Sequence, residues 1–185
     1  MPRLFTGIEL PAEVRTRLAL LSAPVTGARW VEAENLHLTL RFLGDIDHRT
    51  ADEFIDRILP FTVAPFEMTL TELGVFGSQR PDVIWVGAEP KLILGQLNQW
   101  HERAARAVGL EPDSRPFTPH VTLARLRGTK PREVAQFLES RGRLQIPPFQ
   151  VSRLAIFSAR PGTGGGPYAV DETIAFEELG EEDES

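Results

Sequence analysis

The strongest constraint on this chain is a short pattern that occurs twice. Leu36-His37-Leu38-Thr39-Leu40 returns as Pro119-His120-Val121-Thr122-Leu123, so two His-x-Thr-Leu tetrads with an apolar x stand 83 residues apart. Side chains alternate faces along an extended strand. His37 and Thr39 therefore share one face while Leu36, Leu38 and Leu40 anchor the other, and His120 and Thr122 stand likewise over Val121 and Leu123. Each copy holds an imidazole and a hydroxyl about 6–7 Å apart on a strand fixed from behind. Two such strands facing one cleft would present two imidazoles and two hydroxyls, a set suited to holding a phosphate.

The elements around the tetrads follow from punctuation and periodicity. A strand over Arg3 to Glu9 ends at Pro11, which opens a helix with Val14, Leu18 and Leu21 on one face. Arg29-Trp30-Val31 is a short strand, and the first motif strand runs over about 36–43, stopped by Gly44. Asp47 caps a helix over about 48–59 that buries Phe54, Ile55 and Ile58. Strands over Phe66 to Val75 and Pro81 to Gly87 follow. A helix over about 91–108 turns Leu92, Leu94, Leu97, Trp100 and Ala104 inward and stops at Gly109. The second motif strand, about 120–125, precedes a helix from Thr129 to about Ser140 and two strands, Phe149 to Ser158 and Tyr168 to Phe176.

The same 83-residue shift superposes Phe66 on Phe149, Trp85 on Tyr168 and His48 on Pro131. Each half thus reads strand, helix, motif strand, helix, strand, strand. The expected fold class is α+β and bilobed: two pseudo-symmetric lobes, each an antiparallel sheet with outer helices, with the active-site cleft between them. Residues 1–176 form this single bilobed domain, and 177–185 form an acidic, disordered tail. Six of the 26 acids fall in that tail, leaving 20 against 20 Lys plus Arg, so the body is near neutral. A neutral body lacks the basic stripe that long nucleic acid requires, but a few arginines suffice for a nucleotide or an RNA end. There are no cysteines, which excludes disulfides, thiolate nucleophiles and Cys-based metal sites. The absence of a leader or a membrane-length apolar run leads to the expectation of a cytoplasmic protein, with no membrane partner and a monomeric state.

Opening a phosphodiester with water takes a base for the nucleophile and an acid for the departing alkoxide, and histidine serves as either at neutral pH. Hydroxyl donors aimed at the non-bridging oxygens stabilise the charge that builds there. His37 and His120 are therefore the candidate catalytic pair, and Thr39 and Thr122 the candidate phosphate ligands. Neither a metal nor another cofactor is expected, because His37, His48, His101 and His120 show no ligand spacing. His48 and His101 read as surface or packing residues. The glycine run Gly162 to Gly166 lacks the helix and Lys-Ser/Thr of a phosphate loop and reads as a hairpin loop. Asp82 and Asp113 have no partner at suggestive spacing and receive no role.

Asn35-Leu36-His37-Leu38-Thr39-Leu40-Arg41-Phe42-Leu43-Gly44 and Arg115-Pro116-Phe117-Thr118-Pro119-His120-Val121-Thr122-Leu123-Ala124-Arg125 resemble the paired signatures of the two-histidine phosphoesterase superfamily. The branch they resemble is the RNA 2′,3′-cyclic phosphodiesterases, historically called 2′-5′ RNA ligases. That resemblance implies metal-independent hydrolysis of RNA 2′,3′-cyclic phosphate ends, or of small cyclic nucleotides, to 2′-phosphomonoesters, with weak reversible 2′-5′ ligase activity in some members. It makes His37 the acid for the 3′-oxygen and His120 the base for water, with Thr39 and Thr122 on the phosphate. Phe42 and Arg125, each five after its histidine, resemble positions that stack on the terminal base. Strict alternation instead puts both on the face away from the histidines, so either a bulge re-aims them or Phe42 is core. By the same alternation Arg41 shares the histidine face and is a rival phosphate or RNA contact. Two other readings remain: a phosphodiesterase for another cyclic or 2′-5′-linked substrate, and a non-catalytic module that binds an AMP-like nucleotide or an RNA end.

Overall fold

A computed structural model describes residues 3–59, 63–159 and 168–176. Nine strands and four α-helices order these residues: β1 Arg3–Glu9, α1 Ala12–Ala19, β2 Ala28–Trp30, β3 His37–Asp45, α2 His48–Ile58, β4 Phe66–Phe76, β5 Val83–Glu89, α3 Lys91–Ala107, β6 His120–Leu126, α4 Pro131–Arg141, β7 Phe149–Val151, β8 Arg153–Ala159 and β9 Tyr168–Ala175. The turn that leads into β3, expected at Glu34-Asn35, is a 3₁₀ turn at Ala33–Asn35. The glycine run at 162–166 and the tail at 177–185 lie outside the described residues.

All described strand pairs are antiparallel, in the order β7-β4-β5-β6-β3-β1-β8-β9, with β2 added on β6. The fold is α+β, and its sheet curls as two lobes, β9-β8-β1-β3 and β6-β5-β4-β7, joined where β3 meets β6 through the one described pair, Leu38 and Val121. Assembly differs from an expectation of one lobe per half of the chain. From one end of the chain β1, with β3 at its side, pairs with β8 from the other end, which carries β9, while the chain's middle builds most of the second lobe. Hairpin closure explains the middle: β4 returns directly into β5. The distant ends gain their pairing only by meeting each other, at β1 and β8.

The helices lie where apolar spacing puts them. Asp47 accepts the Thr50 N–H at 2.7 Å and starts α2. Its Phe54 and Ile58 pack with Leu4, Leu43, Ile46, Ala104 and Ala105 into a core that fixes α2 and α3 to the first lobe. Val14 and Leu18 of α1 and Val134 and Phe137 of α4 join the main core with Leu36, Leu38, Val121 and Leu123. Leu94 and Leu97 are fully buried as expected, but Leu92 is 73% exposed in the first turn of α3, where no element covers it. Nor does Gly44 stop β3. The strand runs on to Asp45, with Gly44 at φ +78 opposite Leu4.

Candidate active site

The two tetrads, 83 residues apart in sequence, lie side by side in space. Leu38 and Val121 pair across β3 and β6 and are both inaccessible to solvent. Antiparallel register about that pair brings His37 across from Thr122 and Thr39 across from His120, with all four half-buried on the opposite face. Because this is the only described rung between β3 and β6, the lobes diverge from it and leave a cleft over the four polar side chains.

Each imidazole is held the same way. His37 Nδ1 lies 2.7 Å from the Asn35 carbonyl and His120 Nδ1 lies 2.6 Å from the Thr118 carbonyl, in both cases two residues back. A carbonyl only accepts, so Nδ1 carries the proton, and in the neutral ring Nε2 keeps its lone pair for the cleft. His37 Nε2 is 2.8 Å from Thr39 Oγ1, whose hydroxyl donates to it in that state. Burial lowers the His37 pKa to about 4 against the pull of the Asn35 carbonyl, and the charges of Arg125 and His120 add to the shift. Burial lowers His120 as well, opposed by the Thr118 carbonyl and reinforced by Arg125. At neutral pH the cleft therefore presents two neutral imidazoles beside the Arg125 cation, a setting that attracts an anion, and the anion would return a proton to the pair.

Phe42 and Arg125 reach this face because both motif strands carry a bulge at the same place. Thr6 pairs with Arg41 and Gly7 with Thr39, leaving Leu40 as the extra residue. Ile84 pairs with Ala124 and Trp85 with Thr122, leaving Leu123 as the extra residue. Each bulge sits three residues after its histidine and reverses the alternation beyond it. Phe42 consequently emerges 46% exposed, its ring 5.5 Å from that of Phe5, and is not core. Arg125 is exposed at the matching position. The same reversal corrects the expectation for Arg41. It turns away from the histidine face, is only 8% exposed, and is bound to Glu102 of α3.

Aromatic rings that the sequence reading leaves unassigned build the walls. His37 sits 4.7 Å from Phe5, 5.3 Å from Phe157 and edge-on to Tyr168 at 5.1 Å. His120 meets Phe76 edge-on at 5.0 Å and Trp85 at 6.2 Å. Trp85 lies against Gly74, where a Cβ would come within 2.4 Å of the indole. Asn35 serves twice: its carbonyl orients His37 and its Oδ1 accepts the Tyr168 N–H at 3.2 Å. One signal for these walls is present in the chain, since Trp85 and Tyr168 are related by the same 83 residues as the histidines.

The other candidates lie elsewhere. His101 is buried in α3, its Nδ1 2.6 Å from the Leu97 carbonyl, and burial lowers its pKa to about 4. His48 is exposed at the start of α2. Asp82 contributes its carbonyl to the Leu126 N–H at 2.7 Å, and Asp113 accepts the Arg115 N–H at 3.1 Å. Among the described residues no three His, Asp or Glu side chains are gathered as a metal site, and no helix is long and apolar enough to cross a membrane.

Two carbonyl-anchored imidazoles, each with a threonine two residues on, over one cleft of a bilobed antiparallel sheet define the two-histidine class of phosphoesterase. The family model described as LigT-like phosphoesterase matches residues 8–85 and again 88–168, one motif histidine in each stretch. The chain belongs to that family. It is 31% identical over 148 residues to the RNA 2′,3′-cyclic phosphodiesterase of Aeropyrum pernix, covering 78% of this chain and 82% of that one. Against the protein of the same name from Escherichia coli it is 35% identical over 128 residues, 66% of this chain and 71% of the relative. The crystal structure of E. coli LigT complexed with 3′-AMP superposes with a TM-score of 0.75 at 28% identity, over 96% of this chain and all of that one.

Proposed function

We propose that this protein hydrolyses RNA 2′,3′-cyclic phosphate ends, or small 2′,3′-cyclic nucleotides, to 2′-phosphomonoesters without a metal. The observation that carries the reading is the placement of two Nδ1-anchored imidazoles on adjoining strands over one cleft. Relatives that bear the name RNA 2′,3′-cyclic phosphodiesterase support the substrate class. The cyclic phosphate enters as a monoanion between two neutral rings, and its charge favours a proton on one of them. His120 takes a proton from water as the water oxygen attacks phosphorus. The P–O3′ bond breaks on the opposite side, and His37 delivers a proton to the departing 3′-oxygen. Thr39 and Thr122 bind the non-bridging oxygens, where charge accumulates. A ribose 5′-hydroxyl in place of water would give a 2′-5′ linkage, a weak ligase reaction from the same machinery. Phe42 and Arg125, at the rim, contact the terminal nucleotide.

The test is incubation with 2′,3′-cyclic AMP, and separately with an RNA oligonucleotide ending in a cyclic phosphate, in the presence of EDTA. Formation of the 2′-phosphate is expected. Tight binding without product would show a nucleotide-binding module instead, and dependence on an added metal would contradict the mechanism.

A further inference from the structure

The correspondence between the motif strands ends on their back faces. Where β6 has the buried Ala124, β3 has Arg41, and every part of that guanidinium is engaged. Nε donates to Glu102 Oε2 at 2.6 Å, Nη2 donates to the Glu111 carbonyl at 2.6 Å, and Nη1 donates to the Phe42 carbonyl. Glu102 Oε1 in turn accepts from Arg106 Nε at 3.0 Å and from the Asp113 N–H at 3.1 Å. Burial alone would raise the Glu102 carboxyl, but the bonds from Arg106, Arg41 and the Asp113 N–H hold it below its usual value. With side chains 9% and 17% exposed, this largely buried ion pair is weak evidence of a stabilising role, since apolar residues of similar volume often serve as well or better. What this pair supplies is direction.

Its bonds end on three pieces of backbone: β3 just beyond the bulge, at Phe42, and Glu111 and Asp113 in the segment between α3 and β6. Five residues beyond Asp113, that segment presents the Thr118 carbonyl that orients His120, and the adjoining Pro119 carbonyl takes the Ala88 N–H at 3.1 Å. The first motif strand is thus tied from behind to the segment that leads into the anchor of the second strand's histidine. We propose that Arg41 and Glu102 are positioning residues, which hold the Thr118 carbonyl where it aims His120 Nε2 at the phosphorus and which brace the β3 backbone at Phe42. Resting on the phosphodiesterase reading above, the proposal adds to the reaction two residues that touch neither substrate nor histidine.

The experiment compares Arg41→Lys, Glu102→Gln and the double variant Arg41→Met/Glu102→Leu with the wild-type protein. Three quantities are followed: kcat and KM on 2′,3′-cyclic AMP, the unfolding midpoint, and the imidazole ¹⁵N and Nδ1–H resonances of His37 and His120. The double variant should unfold near the wild-type midpoint, because an apolar pair replaces the ionic one. Its kcat should nevertheless fall about tenfold to a hundredfold, the cost of an ångström-scale misplacement, with KM within about threefold. The His120 Nδ1–H resonance should move or vanish while that of His37 persists. Arg41→Lys keeps the charge but not the planar fork, so it should share the loss of kcat. As a control, Phe54→Leu in the α2–α3 core should lower the unfolding midpoint and leave kcat and both resonances in place. Wild-type kcat and an unmoved His120 resonance in the double variant would overturn the proposal and leave the pair a structural one. If the wild-type protein does not turn over the substrate, the reaction reading fails, yet the His120 resonance still decides the positioning claim.

Discussion

The surroundings of His37 and His120 are alike at the front and unlike behind. Both rings hang from a carbonyl two residues back, both stand over an inaccessible apolar neighbour, and both precede a bulge at the third position. Past the bulge the halves part: an aromatic, Phe42, faces the cleft from one lobe and a cation, Arg125, from the other. Behind them, an ion pair backs β3 and Ala124 backs β6. His37 is also packed among three aromatic rings and bonded to Thr39, and its pKa falls to about 4. In the proposed reaction the matching part serves what must be symmetric, two imidazoles on one phosphate, while the differing parts would divide the labour of acid, base and binding.

The comparison can be broken most forcefully at the histidines. Alanine at either position is expected to lower kcat on 2′,3′-cyclic AMP by about 10²–10⁴-fold with the fold intact, the range for loss of a general acid or base. A substrate whose 3′ leaving atom is sulfur separates the roles, because a thiolate departs without an acid. His37→Ala should regain most of its lost rate on that substrate and His120→Ala should not. Recovery in the opposite variant would exchange the two assignments.

A smaller effect is expected at the hydroxyls. Thr39→Val and Thr122→Val remove one donor each and should cost kcat about 10-fold to 10³-fold with stability nearly unchanged, measured by steady-state kinetics and thermal unfolding. Smaller again is the difference at the rim. Phe42→Ala should raise KM about fivefold to a hundredfold, the worth of one stacked base, with little salt dependence. Arg125→Ala should raise KM in a salt-dependent way. Since Arg125 lowers both histidine pKa values, its removal should move both NMR titrations to higher pH. A downward movement would contradict the electrostatics described.

The last effect concerns stability and should leave turnover in place. The folded pKa of buried His101 lies near 4, below its ordinary 6.5, so the unfolded chain binds the extra proton as pH falls. Stability should therefore be full above about pH 6.5 and decline toward pH 4, by about 3 kcal/mol from this residue. His101→Leu should flatten the dependence of the urea midpoint on pH across that window. An unchanged slope would show that acid lability arises elsewhere.

Much of this was legible in the chain because it is local. Alternation over His37 to Leu40 and His120 to Leu123 states which side chains share a face, and Asp47, Gly109 and Pro131 mark helix ends that the structure keeps. The phase beyond position 40 was not legible, because a bulge is set by register with a partner strand. That partner is β1 for Leu40 and β5 for Leu123, and neither is adjacent in sequence. Hence Arg41 reads as a cleft residue and proves to face α3. The rings around His37 come from β1, β8 and β9, strands brought together only by long-range pairing. Their gathering follows from topology, whereas the Trp85 and Tyr168 correspondence alone was written at the right interval.

A crystal structure with 2′-AMP bound tests the central claim most directly. The account predicts a single phosphate with His37 Nε2 and His120 Nε2 on opposite sides, each about 2.7–3.2 Å from a phosphoryl oxygen. A phosphate held by one histidine alone, or seated in a pocket that neither ring enters, would contradict it.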